Sequence, residues 1–453
     1  MSLDGDIIIA PLTPAGHSAI TVLRISGKGC IELASRYFRP ADKLLNSPTH
    51  RLIHGFLHDD QGQDLDEVLI SIFKAPHSYT GEESLEISCH GNPNLMNRIL
   101  KTFLKNCRLA KPGEFTLRAY LNGKLDLSQA EAVNDLIKAQ ASKAECAALL
   151  QLKGYLSQHL QSILQQITEA RLRCELAIDF ADQDLPQIDL DALRNQIENT
   201  LSSAEELASK GEQGRIIREG IKVCLAGAPN AGKSSLFNSL LQQNRAIVTP
   251  HPGTTRDYLE ESISLNGFTL VIYDTAGLRI STDEIEKQGI DKSYELMQEA
   301  DLIIYLKEAN PIQRQSISLA ETTIPQELWH KTLLVISKAD LIDSGQEPFP
   351  GLIYCSAFTA NGLEQLTDTI FERLNLSDEL VNKPLITNSR HLAALERAII
   401  ALKQALKSME DGLGFEFTAF ELGAASSALE EILGVITPDD LLEQIFSNFC
   451  IGK

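Results

Sequence analysis

Gly227-Ala-Pro-Asn-Ala-Gly-Lys-Ser234 is the stretch on which the reading of this chain turns. An apolar run, residues 221–226, precedes it and a segment of helical composition follows. In that strand–loop–helix context the glycines let successive backbone N–H groups curl around phosphate oxygens, and the helix N-terminus adds partial positive charge. Asn230, Ala231 and Gly232 shape the cradle, Lys233 reaches the β- and γ-phosphates, Ser234 sits on Mg²⁺, and Ser235 continues the first turn. The bland alternative is a glycine-rich turn that binds nothing, and the flanking strand and helix argue against it.

Working outward, apolar runs at 269–273, 302–306, 332–336 and 352–355 alternate with helix-like segments. That alternation predicts a parallel sheet covered on both faces. Asp274-Thr275-Ala276-Gly277 ends one such run, as expected of a carboxylate holding the Mg²⁺ shell and a glycine sensing the γ-phosphate. Upstream lies the extended segment Thr249-Pro250-His251-Pro252-Gly253-Thr254-Thr255, whose last threonine can complete the metal shell. Ser337-Lys338-Ala339-Asp340 follows another strand, with Asp340 placed to accept from the N1 and N2 donors of guanine. Ser356-Ala357-Phe358 follows the next, where a backbone N–H can meet the guanine O6. Five elements in this order resemble the GTPases of the translation-factor-related class. One departure stands out: Ser337 occupies the place of that class's asparagine, which removes an amide that braces the loop. Asp340 keeps the main discrimination, so GTP is expected over ATP.

Composition sets the outer bounds. A chain of 453 residues exceeds one ordinary hydrophobic core and implies two to four domains. The balance of 41 Lys+Arg against 61 Asp+Glu, a formal charge of −20, argues against a broad phosphate-binding surface. If nucleic acid is the substrate, a partner grips its backbone. The eight cysteines include no Cys-x-x-Cys pair and no zinc-like spacing, which predicts reduced thiols in a cytosol. The apolar residues 7–10 have no basic residue before them and are not expected to act as a signal peptide, and no stretch is long enough to span a bilayer.

The fold class expected is multidomain. Residues 1–120 mix short β-branched runs (20–25, 68–73, 85–88) with helical stretches, an α+β domain. Residues 121–215 read as helical: Ser128 with Glu131 looks like a capping box opening one long stretch to Phe180. A break around Pro186 and a second helix follow, which Gly211 and Gly214 are expected to end. Residues 216–376 form the inserted α/β domain, Ras-like with a mainly parallel sheet. Helical composition resumes over 377–453, clearest at 390–409 and 418–433, so the helical domain is discontinuous.

The hydrolytic residue is less easily read. Ras-like proteins orient the attacking water with a glutamine after the Asp-x-x-Gly motif, whereas this chain has Leu278 there. Asn230 within the phosphate loop and the extended 249–255 segment resemble cation-dependent GTPases, in which a loop cages potassium against the phosphates and G domains dimerise. With that pattern the whole chain, including its terminal Phe-Cys-Ile-Gly-Lys, resembles the tRNA-uridine modification GTPases of the MnmE (TrmE) family, within the TrmE-Era-EngA-YihA-Septin-like superfamily.

The resemblance implies K⁺ held by Asn230, Thr249, His251 and Thr254, and Mg²⁺ by Ser234 and Thr255. It places the water-positioning glutamate at Glu286, although by composition Asp283 and Glu284 are equal candidates. It implies a folate-binding-like first domain that takes 5-formyltetrahydrofolate, or a related one-carbon tetrahydrofolate, on Arg24, Glu86, Lys124 and Lys453. For Cys450 two readings stand: a nucleophile or acid/base near the folate, or a small side chain packed with Phe446 and Phe449. The family further implies a cytoplasmic homodimer joined through the N-terminal domain. With the flavin protein MnmG (GidA) it forms a heterotetramer that adds aminomethyl or carboxymethylaminomethyl groups to C5 of a wobble uridine in tRNA. An Era-like ribosome-assembly switch, and a stand-alone folate-dependent aminomethyltransferase with a regulatory G domain, are the competing readings.

Overall fold

The structure is a computed structural model that describes residues 5–179, 189–243, 260–274, 294–309, 318–342, 352–377, 380 and 384–453. Two compact units divide the chain: one holds residues 1–137, 151–202 and 394–453, the other 138–150 and 203–393.

In the first unit, β1 (Ile8–Pro11), β2 (Ser18–Ser26), β3 (Phe38–Arg39), β4 (Arg51–His58), β5 (Asp64–Phe73), β6 (Ser84–Gly91) and β7 (Arg108–Leu109) form one sheet, ordered β3-β4-β5-β6-β2-β1-β7. Two-residue alternation sorts its faces. Leu23, Ile25, Ile70, Ile72, Leu85 and Ile87 point into a core closed by α1 (Cys30–Ser35), α2 (Ala41–Leu45) and α3 (Pro93–Phe103). The same alternation turns Arg24 and Glu86, which pair directly across β2 and β6, to the opposite face.

The long helical stretch is made of several helices. It is broken into α5 (Leu127–Lys138), α6 (Ser142–Leu152) and α7 (Tyr155–Asp179), with left-handed Gly154 (φ 85°) separating the last two. The capping box also lies two residues earlier than expected. Asp126 accepts from the Gln129 N–H (2.9 Å) and Gln129 Oε1 accepts from the Asp126 N–H (3.0 Å). Ser128 is instead buried, its hydroxyl 3.0 Å from that of Ser157. The break expected around Pro186 falls on 180–188, outside the described residues. Helices Ser389–Glu410 and Phe415–Leu433 match the C-terminal expectation, and a further helix, Asp439–Ser447, precedes the tail.

In the second unit the order is β13-β12-β11-β8-β10-β9, from β8 (Ile221–Gly227), β9 (Glu260–Leu265), β10 (Phe268–Asp274), β11 (Leu302–Glu308), β12 (Thr332–Ser337) and β13 (Ile353–Tyr354). All pairings are parallel except β9 with β10, joined by a left-handed Asn266-Gly267 turn. Both faces of the central strands are covered: Val223, Leu225 and Ile304 enter one core, Cys224, Ala226 and Ile303 the other.

Gly211 and Gly214 do not end a helix. After α8 (Leu190–Ala208) they lie inside α9 (Gly211–Glu219), where they permit close packing. A Cβ on Gly214 would stand 2.0 Å from the Ile386 carbonyl oxygen, and one on Gly211 would stand 2.6 Å from Leu392 Cδ1. Gly214→Ala therefore tests the arrangement. Helix propensity alone favours alanine by about 1 kcal/mol, but the backbone clash is expected to outweigh it and leave a net loss of about 1–3 kcal/mol. Urea denaturation followed through Trp329, the sole tryptophan and a residue of this unit, reads the sign directly.

Candidate functional site

The phosphate loop is built where β8 stops. At Gly227 (φ 137°) a Cβ would meet the Leu306 carbonyl oxygen of β11 at 2.3 Å, so the sheet itself demands glycine there. Asn230 (φ 62°) and Gly232 (φ 86°) turn the chain through left-handed conformations, and α10 (Lys233–Gln243) starts as Leu236 N–H donates to Gly232 O (2.9 Å). Lys233 is buried, with Nζ donating to Gly227 O (2.8 Å) and Ala228 O (2.9 Å). Ser234 and Ser235 are exposed on the first turn. Asp274 ends β10 beside β8, in register with Leu225, which brings that strand end to the loop.

The base-reading segment meets the same loop. Ser337, at the end of β12, lies under Gly232: a Cβ there would stand 3.5 Å from Ser337 Cβ. Several bonds hold the segment that Ser337 opens. Ser337 Oγ donates to Lys307 O (3.3 Å), and left-handed Lys338 places Nζ 2.7 Å from Glu308 Oε1. Ala339 N–H donates to Cys355 O (3.1 Å), and Ser356 Oγ donates to Asp340 Oδ1 (2.5 Å). Ser356 Oγ in turn accepts from the N–H groups of Phe358 and Thr359 (both 3.2 Å). Because Ser356 N–H is spent on Asn361 O (3.0 Å), the donor expected for a base carbonyl falls to Ala357. Gly232, Ser235, Lys338, Asp340, Ala357 and the 91 % exposed Phe358 thus border one cavity of about 390 Å³. Sequence reasoning had not given the Ser356 hydroxyl this part; its bond to Asp340 exists only once the ends of β12 and β13 are adjacent.

Thr249, Pro250, His251, Pro252, Gly253, Thr254, Thr255, Thr275, Ala276, Gly277 and Glu286 lie outside the described residues. Among the described residues no cluster of His, Cys, Asp and Glu is arranged to hold a metal.

A second constellation lies in the first unit. Arg24 Nε and Nη2 donate to one oxygen of Glu86 (3.0 and 2.7 Å), with the guanidinium 4.9 Å from the Tyr79 ring centroid and 5.5 Å from that of Phe115. Lys453 joins them. Burial, and then the Arg24 charge, hold its ammonium below the usual lysine range, with Glu86 opposing. The tail is fastened by Phe115 N–H to Lys453 O (3.2 Å) and Gly113 N–H to Cys450 O (3.4 Å), and a Cβ on Gly452 would meet Pro11 O at 2.3 Å. Lys124 Nζ donates to Pro76 O (3.2 Å). Of the two readings for Cys450, packing does not hold: Cys450 is exposed, while Phe446 and Phe449 enter a core with Leu127, Val133 and Leu442. Tyr79 and Phe115 carried no sequence signal, since nothing local ties them to Arg24.

Two family models match: "MnmE helical domain" over residues 127–450 and "GTP-binding protein TrmE N-terminus" over 7–124. Similar curated proteins include the tRNA modification GTPase MnmE of Aquifex aeolicus, 40 % identical over 98 % of this chain and 99 % of that protein. The protein of the same name from Syntrophus aciditrophicus is 41 % identical over 99 % of each. Among solved structures, the G domain of the T. maritima FeoB iron transporter is 26 % identical over 34 % of this chain and 98 % of that one. Its TM-score is 0.22.

Proposed function

Because the chain belongs to the tRNA modification GTPase MnmE family, we propose that it is a potassium-stimulated GTPase whose hydrolysis drives folate-dependent modification of a wobble uridine at C5. Family membership makes it a GTP hydrolase serving tRNA modification. The observation that carries the nucleotide reading is the single cavity bordered by the phosphate loop on one side and Asp340 on the other.

In this reading Asp340 accepts from the guanine N1 and N2 donors while the loop's N–H groups hold the phosphates. Lys233 exchanges its two carbonyl partners for β- and γ-phosphate oxygens. The donors fit the implied ions: Ser234 offers an exposed hydroxyl for Mg²⁺, and left-handed Asn230 an amide oxygen for K⁺. When bound, those ions supply positive charge to the phosphoryl group. Leu278 cannot orient water, and the family resemblance assigns that role to Glu286: the water oxygen bonds to the γ-phosphorus as the bond to the β–γ bridging oxygen breaks, and the water's proton passes to the released phosphate. At the first-unit site Arg24, Glu86, Lys124 and Lys453 would hold a one-carbon tetrahydrofolate, the carboxylate pairing with its N–H edge and the cations with its carbonyl and carboxylate oxygens, and Cys450 is exposed. The working assembly is a cytoplasmic homodimer through residues 1–120, combined with MnmG, a flavin protein that supplies the main RNA surface. No helix among the described residues is long and apolar enough to cross a membrane.

GTP turnover measured in KCl and in NaCl at equal ionic strength tests the ion. Potassium is expected to raise the rate at least tenfold, on the order of one lost transition-state contact, and Asn230→Ala should abolish the difference. Equal rates in both salts would instead indicate a conventional switch awaiting an external activator.

A further inference from the structure

Arg24 is unusual in how it is spent. Two of its nitrogens bond one Glu86 oxygen, and the third, Nη1, is buried without a hydrogen-bond partner. A buried guanidinium N–H left unpaired is costly, so such a donor implies an acceptor that arrives with a ligand. What keeps Nη1 from swinging to a protein carbonyl is the packing around it, and that packing traces to two consecutive residues at the start of α4 (Glu114–Leu121).

Phe115 is fully buried and does two things. Its ring lies against the Arg24 guanidinium, and its N–H holds the carbonyl of Lys453, 338 positions further along the chain. Thr116, also fully buried, holds the Tyr79 hydroxyl at 2.9 Å, and the Tyr79 ring is the second aromatic surface against Arg24. Aromatic faces attract a guanidinium and restrict where it can turn. One turn of helix therefore reaches Arg24 twice and Lys453 once.

We propose that Tyr79, Phe115 and Thr116 are positioning residues of the first-unit site, fixing Arg24 and the last residue, Lys453, at one spacing around Glu86 so that Nη1 meets an acceptor on the ligand. This rests on the tetrahydrofolate reading above. The group selected is a carbonyl or carboxylate edge, because two cations face one carboxylate there.

The test is calorimetric titration of the full-length protein with 5-formyltetrahydrofolate. Tyr79→Phe and Thr116→Val each remove the same hydrogen bond, so each should weaken binding about fivefold and the double variant no further. Tyr79→Leu, which also removes the ring, should weaken it about tenfold. Thr116→Ser, which keeps the hydroxyl, should restore wild-type affinity, and across the series the loss of affinity should not track the loss of Tm. Wild-type protein that binds while the variants bind equally well overturns the positioning role alone. Affinity lost only in step with Tm, and not rescued by Thr116→Ser, overturns it too. Wild-type protein that hydrolyses GTP yet binds no folate overturns the folate reading and this proposal with it.

Discussion

Asp340→Asn is expected to weaken GTP binding by about 10²–10³-fold, the scale of losing two charge-assisted hydrogen bonds to one base. The structure gives the substitution a direction as well as a size. Ser356 Oγ already accepts from two backbone N–H groups, so its own hydrogen goes to Asp340 Oδ1. An asparagine in this place must turn its carbonyl oxygen to Ser356 and its NH₂ toward the base. That NH₂ opposes the N2 amino group of guanine but complements a carbonyl at the same ring position, as in xanthine. Titration with fluorescent guanosine and xanthosine diphosphates should show the preference inverted. A variant that retains guanine affinity would mean that Asp340 does not read the base.

Arg118→Met should cost about 3–5 kcal/mol of stability in the first unit, the range for removing one partner from a buried ionic cluster. The Arg118 side chain is 1 % exposed and bonds Asp6 Oδ1 (2.8 Å), Asp6 O (3.0 Å), Glu82 Oε2 (3.1 Å) and Glu114 Oε1 (2.9 Å). Asp6 and Glu82 are partly exposed, which favours the lower end of that range. The cluster also sets a pH dependence. Burial works to raise the carboxyls of Asp6 and Glu114, but hydrogen bonds from Arg108 and Arg118 outweigh it and hold both below the usual range. Depressed carboxylates stabilise the fold above their unfolded values, about pH 4, and that contribution is lost as pH falls through the folded values. Removing Arg118 raises the folded values, so the variant should lose its stability at a higher pH than the wild type. Hydrogen exchange of peptides within 5–121, at pH 7 and pH 4, measures this without relying on Trp329, which belongs to the other unit. Unchanged protection in Arg118→Met would show that the cluster contributes little.

Much of the nucleotide half could be read from the sequence because its chemistry is local. A phosphate cradle needs glycine and left-handed residues within one short loop, and Gly227, Asn230 and Gly232 supply them in eight consecutive positions. The strands around it announce themselves as apolar runs because both faces of a parallel sheet are buried. Where a local pattern admitted two answers, packing chose. Asp126–Gln129 and Ser128–Glu131 are both acceptable capping boxes, and the first prevails because Ser128 is turned inward to Ser157. Gly211 and Gly214 carry the composition of a helix end, yet the approach of Ile386 and Leu392 makes them interior contacts.

The first-unit site is the opposite case. Arg24, Glu86, Phe115 and Lys453 are scattered along the chain, and each by itself is an ordinary charged or core residue. Family resemblance could name three of them, but not the two rings against Arg24 or the exposure of Cys450. By itself the sequence determined the apolar strands around the nucleotide loop and the phosphate loop itself, since these depend on residues within a few positions of one another. Only the tertiary structure decided which distant charges meet, which donors are left unpaired and which glycines are pressed against a neighbour, because burial is a property of the closed chain and not of any segment of it.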